Sequence, residues 1–209
     1  SDAVAVAQKA IDEIDIPNGV TTDIAGDYED QQSMFSDMLV LIILIIIMVY
    51  MVMASQFESF MSPFVIMFSL PFAIVGVIWG LTITGTAMGV MAIIGVIILL
   101  GIVVKNGIVL IDYTILCRER GMSIVDASVE AARSRLRPIL MTTLTTVLGM
   151  VPMALGIGEG SEMWVSLGMV VCWGLTISTI VTLVLIPTVY CIFATRQENR
   201  KARKSLMLK

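Results

Sequence analysis

Five apolar runs alternate with short polar breaks along the chain, over residues 38–57, 63–82, 88–113, 138–155 and 164–193. Each is close to or above the ~20 residues that an α-helix needs to cross a bilayer, with the fourth short and the fifth long. The pattern predicts an all-α membrane protein, a bundle of about five transmembrane helices. Ahead of it, Val4, Ala7, Ile11 and Ile14 recur at helical spacing among acids, which fits a short amphipathic helix capped by Asp2. Pro17-Asn18-Gly19 marks a turn, residues 20–24 suit one strand, and a polar helix is expected from about Tyr28. One helix and one strand cannot bury a core by themselves. Residues 1–37 are therefore expected to be the truncated remnant of an extramembrane α/β domain.

The longest polar interval, 114–137, separates the third and fourth runs. Its stretch 123–132 has the spacing of a short amphipathic helix, with Ser123 and Asp126 placed as a capping pair. Pro71, Pro152 and Pro187 are expected to kink their helices or interrupt the backbone ladder. Gly76 and Gly80, four apart, and the glycines at 89, 95, 101 and 107 permit close helix contact.

Charge fixes an expected orientation. Arg118, Arg120, Arg133, Arg135 and Arg137 lie in the 114–137 loop, and Arg196, Arg200, Lys201, Arg203, Lys204 and Lys209 in the tail 194–209. An odd number of spans puts that loop and that tail on one side, whereas residues 1–37 are acidic. By the excess of Lys and Arg in cytoplasmic loops, the N-terminus is expected outside and the basic tail in the cytoplasm. Trp164, Tyr113, Tyr190 and Phe193 fall where interfacial anchors belong. The chain begins Ser-Asp-Ala, without an initiator methionine or a signal-peptide pattern, and is expected to be a piece of something longer.

With 57% apolar residues the composition is that of an integral membrane protein whose partner is the lipid bilayer, and nothing in it points to nucleic acid. There is no histidine, and Cys117, Cys172 and Cys191 have no paired spacing, so neither a metal site, a cofactor nor a disulfide framework is expected. No nucleophile with a base and no phosphate loop argues for an enzyme.

The candidate chemistry lies in the third run. Lys105 is the one base inside any apolar span, beside Asn106. A cation at mid-membrane costs ~2.5–3.5 kcal/mol on insertion scales, so it marks a functional site whose partner must be found. Asp112 is two turns away on the same face, aligned but too far to touch comfortably. The fourth run opens Arg135-Leu136-Arg137-Pro138 and continues with Thr142, Thr143, Thr145 and Thr146, hydroxyls that share faces and are able to bridge a lysine to water. A lysine near a buried acid has a proton affinity that depends on the acid's charge, which proton coupling requires.

Four segments in order, 57–63, 103–113, 135–143 and 149–153, resemble the C-terminal half of resistance-nodulation-division (RND) efflux transporters of the AcrB-like hydrophobe/amphiphile branch. The resemblance covers nearly the whole chain, from the last helix and strand of a porter domain through the eighth to twelfth membrane helices. It implies a homotrimeric proton/substrate antiporter in a bacterial inner membrane, exporting drugs or lipophilic compounds with a periplasmic adaptor and an outer-membrane channel. It also implies that Lys105 is a proton-relay lysine facing two aspartates of an N-terminal half, with Thr142 the relay threonine, Arg135 the arginine near the cytoplasmic exit and Asn106 the lysine's neighbour. The chain has no segment matching that aspartate helix, so transport by it alone is not expected. The alternatives are a non-transporting interaction or regulatory fragment and a SecDF-like translocation auxiliary.

Overall fold

The computed structural model describes residues 9–10 and 27–207, and the expected helix over 2–15 and strand over 20–24 lie outside the described residues. Among the described residues all regular structure is helical: α1 (Asp27–Gln56), α2 (Met61–Met67), α3 (Leu70–Thr84), α4 (Val90–Glu119), α5 (Ile124–Ala154), a 3-10 turn (Ser161–Trp164) and α6 (Val165–Met207). Among the described residues five stretches are long and apolar enough to cross a membrane, α2 and α3 together forming one of them. The backbone divides into two units, Ser1–Ile43 and Leu44–Lys209, the division falling inside α1.

The first unit contributes the start of α1, where the polar helix expected near Tyr28 and the first apolar run are one continuous helix. The second unit is the bundle. Its centre is α6, against which α3, α4 and α5 all pack. Leu167, Val171, Leu175, Ser178, Thr182, Ile186, Tyr190 and Ala194 are buried along α6 at steps of three or four, the spacing that keeps one face of a helix turned to its neighbours. Tyr190, one of the expected interfacial aromatics, is buried among the helices.

Close approach depends on missing side chains. A Cβ on Gly80 would stand 2.5 Å from Trp173 Cγ, and one on Gly76 3.0 Å from Ile177 Cβ. The glycine pair of α3, four residues apart, therefore receives a Trp and an Ile of α6 that are also four apart. Gly174 is filled in turn by Leu99 of α4.

The second span is broken where Pro71 predicts. Pro71 falls in the first turn of α3, where its missing N–H is not needed. The linking turn is held by Ser69, buried, whose hydroxyl donates to the Ile66 carbonyl at 2.7 Å. Pro138 behaves differently. The segment 114–137, expected as a loop carrying a separate short helix, is almost wholly helical: α4 runs on to Glu119 and α5 starts at Ile124 and passes through Pro138. The carbonyl that Pro138 leaves without a donor belongs to Ser134, which is exposed and open to other donors. Only Arg120–Ser123 link the two helices. Gly121, at φ 90°, ends α4 in the left-handed region, and the amide of Met122 closes back on the Cys117 carbonyl at 3.3 Å. Ser123 then caps α5, accepting from the Asp126 amide at 3.2 Å and donating to Asp126 Oδ2 at 2.6 Å. The capping pair read from the sequence is real, but it starts a membrane-length helix. Past α5, Gly156 repeats the left-handed exit, and Pro187 leaves α6 unbroken.

Candidate functional site: a lysine on the outer face of α4

On α4, Val103, Val104, Gly107 and Leu110 are buried, and Gly107 is approached by Ile66 and Ile186. These contacts set the rotation of the helix. Asn106 goes inward, 8% exposed, and Lys105 goes outward, exposed. Lys105 borders an open groove of about 370 Å³ between α4 and the second half of α1, walled by Met48, Val52, Val104 and Ile108. Among the described residues the one ion pair joins Arg118 of α4 to Glu198 of α6, and Lys105 has neither an ion pair nor a hydrogen bond. Asp112 is likewise exposed and does not pair with it.

Arg135 is half-buried on α5, its guanidinium carbon 4.6 Å from the centroid of the Tyr113 ring of α4. A cation over an aromatic face gains about 0.5–2 kcal/mol, more as water is removed. Its Nε is buried and has no partner among the described residues. Tyr113 entered the sequence argument as an interfacial anchor. Its role as the platform for Arg135 joins two helices and leaves no mark in spacing.

The threonines of α5 serve two ends. Thr142 is exposed, and its hydroxyl donates to its own helix, at Pro138 O (3.1 Å) and Ile139 O (2.9 Å). Thr145 and Thr146 donate likewise to Met141 O and Thr142 O, each at 2.8 Å. None of them reaches Lys105 among the described residues. Thr143 is buried and meets Thr179 of α6 at 3.1 Å, a cross-helix bond that sequence reasoning did not pair. The signal available was the polar series Thr176, Ser178, Thr179 and Thr182 in an apolar span.

The arrangement thus holds a cation at an unfilled face, a second cation stacked on a tyrosine, and hydroxyls occupied by backbone carbonyls. The sequence profile described as "AcrB/AcrD/AcrF family" matches residues 1–194. The chain belongs to the AcrB/AcrD/AcrF family. It is 40% identical over 191 residues to the swarming motility protein SwrC of Bacillus subtilis (strain 168), covering 91% of this chain and 18% of that protein. Two X-ray crystal structures of a heavy metal efflux pump, crystal forms II and I, superpose with TM-scores of 0.78 and 0.77 at 29% identity, over 92% of this chain and 19% of theirs. The chain spans about a fifth of the length of these relatives. It is a multi-pass membrane protein of RND type, and the bundle around α6 is a fold shared with a solved pump.

Proposed function

We propose that this chain is the C-terminal transmembrane part of a proton-coupled RND exporter, and that Lys105 takes part in the proton relay with acids supplied by an N-terminal half. The observation that carries the reading is the outward, unpaired ammonium of Lys105 on a membrane helix of an AcrB/AcrD/AcrF family member. A lysine so placed is costly unless a carboxylate faces it when the bundle is complete. Once paired, it stabilises the ionised acid and responds when that acid binds a proton. Arg135 and Thr142, on α5, are the accompanying relay groups, together with Asn106, the lysine's neighbour on α4.

In the assembled protein we place residues 1–37 as the remnant of a porter domain on the outer side, 38–193 as the membrane bundle and 194–209 as a basic cytoplasmic tail. The membrane is the bacterial inner membrane, and the working form is a homotrimer with a periplasmic adaptor and an outer-membrane channel. The cargo is a drug or lipophilic compound. That class rests on the likeness to the AcrB-like branch, since the named relatives differ, one described as a heavy metal efflux pump and another by swarming motility.

The test uses the full-length protein in liposomes with an imposed proton gradient. Lys105→Ala is expected to abolish gradient-driven efflux, at least tenfold in rate, while the trimer and its thermal stability persist. Efflux at the parental rate would sink the relay reading. Lys105→Arg keeps the charge while holding on to its proton, and is expected to remain inactive.

A further inference from the structure

We infer that the seam between α5 and α6 is a phospholipid site, taking an acyl chain along its apolar groove and an anionic headgroup at Arg133 and Arg137. The inference is independent of the relay, because it concerns a different face of α5. Thr142 is separated from Leu140 and Leu144 by two residues on either side, about 200° around a helix, so the face it marks and the groove face are opposed.

The groove holds about 340 Å³ and is walled by Leu140, Leu144 and Val147 of α5 and Ile180 of α6. Its polar side chains are three threonines, all hydrogen-bonded. Thr143 and Thr179 bond each other at 3.1 Å, and Thr176 donates to Cys172 O at 2.7 Å. The acceptor of the Thr143–Thr179 pair alone keeps a free proton, and the rest of the wall is apolar, so the occupant that fits is hydrocarbon. A second, separate groove of about 240 Å³ lies along the same two helices beyond Arg133, beside Val125, Val129, Leu183 and Pro187. Its hydroxyls are also taken, Ser128 by Ile124 O and Thr188 by Val184 O.

Charge identifies the head. Arg133 stands seven residues before Leu140, and Arg137 seven before Leu144, so each lies two turns, about 10 Å, below a groove leucine on the same stripe. Both are exposed, and neither forms an ion pair among the described residues, although Glu130 is one turn before Arg133. Apolar walls above and two guanidinium groups at the mouth match one lipid molecule. Arginine binds phosphate in a fork of parallel hydrogen bonds. An anionic phospholipid, with its net negative charge, is favoured over a zwitterionic one.

The test is native mass spectrometry of the chain released from detergent micelles carrying dioleoylphosphatidylglycerol or dioleoylphosphatidylcholine. The wild type is expected to retain one phosphatidylglycerol and to bind it at least tenfold more tightly than phosphatidylcholine. Arg133→Gln with Arg137→Gln should erase that preference, and Leu144→Trp, which fills the groove, should weaken both lipids. Circular dichroism checks that each variant keeps its helix content. Because the arginines are exposed, their variants decide the matter even where the tryptophan variant fails to fold. Equal retention of the two lipids by the wild type, undiminished binding by the double variant, or a groove closed by a second copy of the chain in a stable dimer would each overturn the proposal.

Discussion

Gly80→Ala puts the packing around α6 to a quantitative test. The added Cβ would meet Trp173 Cγ at 2.5 Å and Cδ1 at 2.8 Å. Real Cβ contacts do not come so close, and the Trp173 atoms nearest the intruder are those joined most directly to its backbone. Turning the indole cannot clear the clash, so α3 and α6 must separate locally. Overpacking of this kind costs about 1–3 kcal/mol. The same substitution gains helix preference, up to about 1 kcal/mol, and that gain must be removed to see the clash. Gly149→Ala supplies the correction, because a Cβ there meets nothing within 4 Å. The difference between the two variants should be about 1–3 kcal/mol, or roughly 5- to 150-fold in the unfolding equilibrium. Reversible unfolding in mixed micelles, followed by circular dichroism, reads it. Trp173→Gly, which takes away the Cβ nearest the intruder as well as the indole, should remove the penalty, so that Gly80→Ala becomes neutral or favourable on that background. If Gly80→Ala and Gly149→Ala have the same effect, or if Trp173→Gly leaves the penalty in place, α3 and α6 do not meet as described.

Two further substitutions address α5. Ser123→Ala removes the cap of a helix that starts at the end of a four-residue link, and should cost about 0.5–2 kcal/mol; hydrogen exchange in the first turn of α5 should quicken while that of α6 stays unchanged. Thr143→Val breaks the buried bond to Thr179 and should cost about 0.6 kcal/mol, no more than about 1.7, the range found for hydrogen bonds between membrane helices. The double variant with Thr179→Val should cost less than the two single changes together, as read from the same unfolding assay.

The spans were legible because a membrane helix needs an uninterrupted apolar stretch, and hydrophobicity alone shows it. Their ends were harder. Pro71, Pro152 and Pro187 were read as one kind of event and Pro138 as the start of a span, yet the outcome depends on where the orphaned carbonyl goes. At Pro71 the helix restarts and Ser69 holds the turn, whereas at Pro138 the freed carbonyl belongs to an exposed residue and α5 continues. A second misreading came from treating polarity as a loop signal. Residues 124–137 are polar on one side only, and Ala127, Ser128 and Ala131 are buried. On the site, the sequence shows that Lys105 is anomalous, since charge inside an apolar run is visible without coordinates. It does not show the direction of the side chain, which depends on Gly107 being pressed by Ile66 and Ile186 from two other helices.

Burial also separates the helices by what they still lack. In the apolar windows of the second, third and fifth spans, 50%, 50% and 44% of residues are buried within the chain, against 6% in α5. A helix so little covered has more than one neighbour to find. On one side α5 carries Thr142, Thr145 and Thr146; on the other it carries Leu140, Leu144 and Leu148, with Arg133 and Arg137 at the basic end. The threonine side also carries Arg135, whose buried Nε has no partner among the described residues, whereas a leucine stripe ending in arginines costs little against hydrocarbon and attracts phosphate. The first face therefore suits protein, which can offer acceptors and acids, and the second suits lipid. The two experiments on these faces should consequently separate: Lys105→Ala, on the outward face of α4, should leave phosphatidylglycerol binding intact, and Arg133→Gln with Arg137→Gln should leave the partner face of α5 unaltered. Loss of lipid selectivity on removing Lys105 alone would mean that one ligand covers both faces, and the division of α5 into a protein side and a lipid side would fail.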